Sequence, residues 1–332
     1  VCISGSSLKK SEVRHLAEVI TFGEAMVVFI SEETGEFKDV SDFTKGLAGA
    51  ELNVAVGITR LGHNVKYITR LGTDPYGDYI FDFIKKEGID TSGVIFDKDH
   101  LTGSYIKSKV HQGDPQVFYY RKNSAASCVS RKDIDQVDFE GAGVLHLSGI
   151  TAAISESCLD ACYYALEKAR QCGMKVVFDP NIRRRLWNSE EEMISTLNDL
   201  AGKCDVVLPG IEEGRVLAGT KDEKEIARFY LSLGAKTVVV KLGSSGAFYQ
   251  EYTGRNGYVK GFKVDNVVDT VGAGDAFASD FISGILEGMP VDDAVVRENA
   301  MGAIIITSKT DNKILPTKEE LEKYLQEHLM LG

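Results

Sequence analysis

The sequence predicts an α/β protein whose central, mostly parallel sheet is flanked by helices. Two observations support this prediction. Short runs rich in Val and Ile alternate along the chain with longer amphipathic stretches, and several of these stretches end at a glycine, the residue that often follows a helix C-terminus. Because such alternation is typical of βαβ units, we expect parallel strands buried between two layers of helices.

The alternation can be followed element by element. It begins with a strand in "EVITF", a helix in "AELNVAVGITRLG" that ends at Gly62, a strand in "NVKYIT" and a helix in "GDYIFDFIKKEG" that ends at Gly88. It resumes with "GVLHLSG", a helix from Ser155 to Cys172, "KVVFD", "CDVVLPG", "EKEIARFYLSLG" and "KTVVVKLG". In sheets of this kind ligands bind at the carboxyl ends of the strands, so we expect the functional site there.

Two segments, about 27–48 and 94–122, break the alternation. The second contains "GSYIKSKV" and "VFYYR" around the turn-forming "HQGDPQ", which indicates a hairpin with interleaved polar and aromatic residues. We therefore predict one α/β body over residues 18–332 with a small inserted β-sheet that acts as a lid. The exposed strands of such a sheet could also pair two subunits into a homo-oligomer. Residues 1–17 are polar and unpatterned, and are interpreted as an N-terminal arm or remnant.

Composition excludes several function classes. The chain has 332 residues, is 43% hydrophobic and has a net charge of −11, so it can bury a large core but has no basic surface of the kind that binds nucleic acid. No apolar run approaches the ~20 residues that span a bilayer, and no signal peptide is recognisable, so we expect a cytoplasmic protein without a membrane partner. The six cysteines are scattered and are expected to be reduced; Cys158 and Cys162, four apart, are attributed to helix packing rather than to a metal site.

The stretch "DTVGAGDAF", Asp269 to Phe277, carries the strongest chemical signal. Small residues at 272–274 allow the backbone to approach a ligand closely, and the apolar spacing that follows predicts a helix. Free N–H groups at a helix N-terminus favour an anion such as a transferring phosphoryl group. Asp275 fits there as the group that accepts a proton from an attacking hydroxyl. From this stretch alone, a glycine turn with Asp275 as a helix cap explains the residues equally well.

Other phosphate-binding motifs fit less well. A dinucleotide fingerprint requires a small residue where Phe277 stands and belongs after the first strand of a βαβ unit, and GxxxxGK[ST] occurs nowhere in the chain. A phosphate would therefore have to be held without a P-loop lysine.

The sequence resembles the ribokinase-like sugar kinases of the phosphofructokinase B superfamily. "DTVGAGD" matches the family's second signature in full, and "AGAELNVAVGITRLG" matches its first, with Gly49, Asn53, Gly62 and then Gly72 at the expected spacing. The resemblance covers the chain from Val19 onward and implies a ribokinase-like α/β fold with a β lid. Asp280 stands where the second signature expects Gly or Ala.

The resemblance implies the following site. Asp275 is the catalytic base, and Gly272, Ala273 and Gly274 form the anion hole for the γ-phosphate of ATP. Lys241, Gly243, Gly246 and Asn299 complete the ATP site with Gly272 and Gly274, although a plain β-turn also explains "KLGSSGAF". Glu213 organises Mg²⁺ through water, with Gly210 in place of the family's asparagine. Dependence on a monovalent cation is left open.

Glu51, in place of a small residue of the first signature, points with "FYYRKNSAAS", "LSGITAAIS" and "DPNIRRRLW" to a resemblance to the 2-keto-3-deoxygluconate kinase branch. The implied sugar contacts are Gly49, Asn53, Tyr105, Tyr119, Arg121, Arg183, Asp275 and Asp311. A sugar acid carries a carboxylate, which a planar guanidinium binds with two hydrogen bonds, so Arg121 and Arg183 are assigned to it.

Purely structural roles also fit several of these residues. Arg184 and Arg185 fit a solvated basic run, the tyrosines fit cross-strand partners, and Asp311 fits a turn. The expected activity is ATP-dependent phosphorylation of 2-keto-3-deoxygluconate at its 6-hydroxyl. The alternatives are a fructokinase or ribokinase that acts on a neutral sugar, and a sugar sensor without catalysis.

Overall fold

The computed structural model describes residues 17–110, 115–264, 272–306 and 315–329. Its strands are β1 (Val19–Phe22), β2 (Met26–Thr34), β3 (Phe43–Ala48), β4 (Val65–Gly72), β5 (Val94–Asp97), β6 (Ser104–Lys109), β7 (Val117–Tyr120), β8 (Val144–Ser148), β9 (Lys175–Asp179), β10 (Val206–Val207), β11 (Thr237–Lys241), β12 (Gly246–Glu251) and β13 (Asn256–Lys260). Its helices are α1 (Ala50–Arg60), α2 (Pro75–Lys86), α3 (Arg131–Asp135), α4 (Gly149–Ile154), α5 (Glu156–Gln171), α6 (Glu190–Ala201), α7 (Ile211–Leu217), α8 (Glu223–Leu233), α9 (Ala273–Leu286), α10 (Val291–Ile306) and α11 (Lys318–Leu329).

The large sheet explains why the strand sequences are almost continuously apolar. Within the described ranges it has nine strands in the order β13-β12-β11-β10-β9-β8-β1-β4-β5. Neighbours from β11 to β5 are parallel, and β12 and β13 add an antiparallel edge. All five residues of β8 are buried, as expected for a strand with helices on both faces. The predicted α/β fold with a mostly parallel sheet is therefore confirmed.

Helices cover both faces of this sheet. One core contains Val19, Val177 and Val239 of the strands together with residues of α1, α2, α9, α10 and α11. The other core contains the alternate strand residues and the apolar side of α5, α6 and α8. Because side chains alternate along a strand, Asp179 and Lys241, two residues beyond Val177 and Val239, lie on the α1 and α9 side at the carboxyl ends of their strands. This is the edge where a ligand is expected.

A second, four-stranded sheet stands apart from the body. Its order is β3-β2-β6-β7, with β2 and β6 parallel and the outer pairs antiparallel. One expected boundary needs correction. The segment 94–97, which the sequence analysis assigned to the small sheet, forms β5 and pairs with β4 at the edge of the large sheet. The same Val-rich and aromatic composition suits both sheets, so composition alone could not distinguish them.

A local signal starts helix α2. Asp74 accepts hydrogen bonds from the N–H groups of Tyr76 and Gly77, both at 2.9 Å, and Pro75 takes the first position of α2. Within the described residues, no helix is long and apolar enough to cross a membrane.

Candidate active site

The first turn of α9 forms the centre of the site. Gly272 precedes the helix with a φ of 81°, a left-handed conformation that glycine adopts without strain. The first intrahelical hydrogen bond runs from Ala276 N to Gly272 O at 2.9 Å. The N–H groups of the four residues from Gly272 to Asp275 come before this donor and lack an intrahelical partner, so they are available to an anion.

Asp275, in that first turn, contacts the helix that carries the first signature. Asn53 Nδ2, on α1, donates to Asp275 Oδ2 at 2.8 Å, although the two residues are 222 positions apart in the chain. Asn181 Nδ2 donates to the other carboxylate oxygen at 3.4 Å. A cap for its own helix would use N–H groups of α9, so these contacts with α1 and the β9 loop do not fit the simple capping explanation.

The surroundings of Asp275 shift the pKa of its carboxyl. Loss of solvent around the carboxyl raises the pKa of Asp275 to about 6. The hydrogen bond from Asn53 opposes this rise, and the negative charge of Asp179 adds to it. The positive charges of Arg183 and Lys241 also lower the pKa. A carboxylate with a pKa near 6 is still ionised at neutral pH, and it accepts a proton more readily than an ordinary aspartate does.

Lys241 ends β11 beside the first turn of α9. Its Nζ lies 2.8 Å from Asp179 Oδ2, at the end of β9, and both side chains are largely buried. A Cβ added to Gly274 would lie 3.8 Å from this Nζ. Burial lowers the pKa of Lys241, but the negative charges of Asp179 and Glu213 outweigh it and leave the pKa raised. Lys241 therefore remains a cation next to the free N–H groups of α9.

Glu213, in the first turn of α7, accepts a backbone hydrogen bond from the loop after β9. Its Oε2 accepts a hydrogen bond from Gly210 N at 2.7 Å, and its Oε1 accepts one from Ile182 N at 2.9 Å. Burial raises the pKa of Glu213, against the lowering effect of Lys241. Glu213 and Asp179 supply carboxylate oxygens of the type that Mg²⁺ prefers, and Gly210 offers only backbone atoms.

The residues expected near the nucleotide lie in two places. Lys241, Gly243 and Gly246 surround the turn between β11 and β12, where Gly243 has a φ of 60° and Gly246 a φ of 98°. This turn is at the same sheet edge as Asp179. Asn299, on α10, lies against β13, where its Nδ2 donates to Val259 O and Lys260 O at 3.4 Å.

The residues expected near the sugar come mainly from the small sheet. Tyr105 and Tyr119 are cross-strand partners on β6 and β7, with ring centroids 5.1 Å apart. Tyr105 is buried and Tyr119 is exposed. Gly49, at the start of α1, has a φ of 146°. The tyrosine pair matches the cross-strand interpretation and also presents an aromatic surface beside Arg121, whose guanidinium lies 5.8 Å from the Tyr119 ring.

The arginines expected to bind the acid have different surroundings. Arg121 forms an ion pair with the buried carboxylate of Glu24. Arg183 is exposed and donates from Nη1 to Ile182 O at 3.0 Å, and its charge acts on Asp275. Arg184 pairs with Glu190 at 2.6 Å on the surface, as a solvated basic run would. Arg183 is therefore the arginine of this run whose charge reaches Asp275.

Several polar residues of the site were missed from the sequence. Asp179 and Asn181 lie within the quoted "DPNIRRRLW", and their position just after a buried strand was the signal that could have identified them. Asp179 Oδ1 accepts from Asn181 N at 3.1 Å, and Asn181 has a φ of 37°, which asparagine tolerates better than most residues. Glu24, which no motif marked, was the other omission.

Glu51 was noted only as a departure from the signature. It is almost fully buried in α1, and its Oε1 accepts a hydrogen bond from Thr151 Oγ1 at 2.5 Å. Burial raises the pKa of Glu51 to about 7, with a further increase from Asp275 and a decrease from Arg121. The charges of Arg121 and of Asp275 thus both act on this one carboxyl.

Some expected residues are elsewhere. Asp311 and the segment 269–271 lie outside the described residues. Cys158 and Cys162 are buried, and burial raises the pKa of both thiols, as in ordinary packing. A separate group of Asp97, His100 and Cys128 has its ligand atoms within 4.8 Å of one another, but Asp97 already pairs with Arg70 at 3.3 Å.

With this geometry in place, comparisons with known proteins identify the family. The model of the pfkB family carbohydrate kinases matches residues 16–318. The chain belongs to the pfkB family of carbohydrate kinases. It is 46% identical over 309 residues to a 2-dehydro-3-deoxygluconokinase of Bacillus subtilis (strain 168), and the match covers 93% of this chain and 95% of the relative.

Solved structures of this family share the fold. A PfkB protein from Polaromonas sp. JS666 superposes with a TM-score of 0.86 at 44% identity, covering 92% of this chain and 99% of that protein. A putative ribokinase II from E. coli, in complex with ATP and Mg²⁺, gives a TM-score of 0.85 at 27% identity, covering 94% and 100%. The predicted resemblance to the ribokinase-like kinases is thus confirmed, as is the prediction of a carbohydrate kinase.

Proposed function

We propose that this kinase transfers the γ-phosphoryl group of ATP to the 6-hydroxyl of 2-keto-3-deoxygluconate. The observation that carries the reaction type is the hydrogen bond between Asn53 and Asp275, because it joins the two signatures at the N-terminus of α9. The substrate is supported by the Bacillus subtilis relative, 46% identical, which has the same named activity.

Asp275 accepts the proton of the attacking hydroxyl in this scheme. As the new O–P bond forms and the bond between the γ-phosphorus and the β–γ bridging oxygen breaks, the proton moves to the Asp275 carboxylate and ADP leaves. The N–H groups of Gly272, Ala273 and Gly274 and the cation of Lys241 stabilise charge on the transferring group. Preorganised donors of this kind typically contribute about 3–4 kcal/mol each to transition-state stabilisation.

The residues present also fit a divalent cation. Asp179 and Glu213 are two carboxylates with hard oxygen donors, and Lys241 beside them would balance the charge when no metal is bound. Mg²⁺ carried by ATP would neutralise phosphate charge and hold the leaving group. Glu213 already binds two backbone N–H groups, which favours contact with Mg²⁺ through water, as expected from the resemblance. The proposal also includes a monovalent cation, to which we assign no ligands.

The acid end of the substrate is assigned to Arg183 and Arg121. Arg183 is exposed beside Asp275, and Arg121 lies next to the aromatic face of the small sheet. Hydrogen bonds to charged groups typically contribute about 1.5–3 kcal/mol, enough to separate an acid from a neutral sugar. The small sheet would close over the sugar and exclude water, and could also pair two subunits. Gly49, Tyr105, Tyr119 and Asp311 remain proposed sugar contacts.

A substrate panel tests this proposal. Phosphorylation of 2-keto-3-deoxygluconate, its galactose-derived epimer, fructose and ribose is followed by ADP release, with the Asp275→Asn variant alongside. We expect the highest kcat/KM with a keto acid and loss of turnover, but not of sugar binding, in the variant. A preference for fructose or ribose would overturn the substrate. Full turnover by Asp275→Asn would overturn the catalytic role, and absence of turnover with any sugar would favour a sensor.

A further inference from the structure

Glu24 lies where the small sheet joins the body. The chain crosses between the two at four points: from β1 to β2, from β3 to α1, into β6, and out of β7. Glu24 is itself part of the first crossing. Each of the other three brings a residue into contact with it.

Two of these contacts are with glycines. A Cβ added to Gly49, between β3 and α1, would lie 2.5 Å from Glu24 O, and Gly49 also has a φ of 146°. A Cβ added to Gly103, just before β6, would overlap Glu24 Oε1. Both crossings are therefore packed against Glu24 so closely that a side chain would displace it.

The crossing out of β7 supplies the ion-pair and hydrogen-bond partners of Glu24. Arg121 Nη2, directly after β7, forms an ion pair with Glu24 Oε2, and Ser124 Oγ donates to Glu24 Oε1 at 2.5 Å. The Glu24 side chain is 1% exposed and that of Arg121 is 12% exposed. Glu24 is thus sealed below the surface, whereas Arg121 still reaches it.

Glu24 does not satisfy all the donors of the Arg121 guanidinium. Arg121 Nε and Nη2 are both buried, and among the described residues neither has a hydrogen-bond acceptor. The ion pair holds Nη2 against Glu24 Oε2, and the guanidinium lies 5.8 Å from the centroid of the Tyr119 ring. Planar, two-point recognition of a carboxylate depends on such a fixed orientation. The Glu24 carboxylate is buried and so is shielded from an incoming anion.

We propose that Glu24 is a positioning residue that holds Arg121 in the orientation needed to bind the substrate carboxylate, and thereby sets the preference for acid over neutral sugars. This inference rests on the proposed function, because it takes the acid end of the substrate as the ligand of Arg121. Glu24 touches no substrate and acts through Arg121.

The first test compares Glu24→Gln with a matched control. Asp133→Asn removes a similarly buried carboxylate, 2% exposed, that pairs with Arg70 rather than with Arg121. We expect Glu24→Gln to raise KM for 2-keto-3-deoxygluconate about tenfold, the effect of one misplaced charged hydrogen bond, with kcat changed less than about threefold. KM for fructose should stay within about twofold. Asp133→Asn should lower stability to urea without changing either KM.

The second test separates positioning from a purely structural role. If Glu24 acts through Arg121, Glu24→Gln has no further effect on KM in an Arg121→Gln background. An equal effect in both backgrounds, or an equal rise of KM for acid and neutral sugar, would overturn the inference. Should Glu24→Gln fail to fold, Glu24→Asp takes its place in the same cycle with a smaller expected rise.

The two proposals fail in distinguishable ways. If the wild-type enzyme prefers a neutral sugar, the proposed substrate is wrong. If it prefers the acid, but Glu24 and Arg121 contribute independently to KM, only the positioning role is wrong.

Discussion

Two aspartates on the same helix show how different surroundings assign different roles to one residue type. Asp275 stands in the first turn of α9, and Asp280 lies five residues later in its middle. Loss of solvent raises the pKa of both, to about 6 for Asp275 and to about 7 for Asp280. Judged by perturbed titration alone, both would be candidates for a functional site.

The residues around the two aspartates distinguish their roles. Asp280 is fully buried, and its Oδ1 lies 2.9 Å from Arg297 Nε, from the adjacent α10. Arg297 also binds Glu287 at 2.6 Å, and burial together with the negative charge of Asp280 raises the pKa of the buried Glu298. This cluster is sealed between two helices.

Asp275 is partly exposed, and its partners come from α1 and from the loop after β9. A reacting hydroxyl can reach it, and free N–H groups lie on the same turn. A raised pKa therefore becomes chemically useful only where the group is open to a ligand and donors surround it.

The largest expected effect is a fall of kcat on substitution of Asp275. Replacing Asp275 with Asn keeps its shape but removes the base, so kcat should fall about 10²- to 10⁴-fold. Stability to urea should not decrease, because the substitution removes a poorly solvated charge. Steady-state kinetics and urea unfolding measure the two quantities. Wild-type kcat in this variant would show that Asp275 is not the base.

Replacing Asp280 with Asn should have the opposite outcome. Loss of one partner of a buried ion pair typically costs about 3–5 kcal/mol, and the remaining contact of Arg297 with Glu287 favours the lower end. With a pKa of about 7, Asp280 is only partly ionised at neutral pH, so the free energy of unfolding should fall by less than about 3 kcal/mol, with kcat within about threefold of wild type. A large loss of kcat in a folded Asp280→Asn enzyme would contradict the distinction drawn between the two aspartates.

A smaller effect is expected from changing the cation next to Asp275. Replacing Arg183 with Gln removes a donor to the substrate carboxylate, so KM for the keto acid should rise about tenfold. Arg184→Gln is the matched control, because Arg184 pairs with Glu190 at the surface. KM is measured for the acid and for fructose. Equal effects of the two substitutions would remove Arg183 from the acid site.

The smallest effect is a shift in pH dependence. A base must be deprotonated, so with an Asp275 pKa of about 6 we expect kcat/KM to fall as the pH drops below about 6. The hydrogen bond from Asn53 lowers that pKa, and Asn53→Ala should raise it by about half to one unit. The acidic limb of the kcat/KM profile then moves to higher pH. It should stay in place in Asp280→Asn, and a shift to lower pH in Asn53→Ala would contradict the assignment.

Much of this architecture was predictable because it follows from local patterns. Alternating apolar runs predicted the parallel sheet, and the two signatures predicted that Asn53 and Asp275 serve one site. Segment 94–97 was assigned to the wrong sheet, because the composition of a short Val-rich strand does not indicate which strand it pairs with. Glu24 was missed because an acid between two strands resembles any turn residue until the four crossings are seen to meet there.

Periodicity and spacing within short segments are enough to predict the fold class, the family signatures and the residue types that transfer a phosphoryl group. Only the tertiary structure decided which charges meet: Lys241 with Asp179, Arg121 with Glu24, and Arg297 with Asp280. Such pairs join residues far apart in the chain, and their energies depend on distance and burial, which no local pattern encodes.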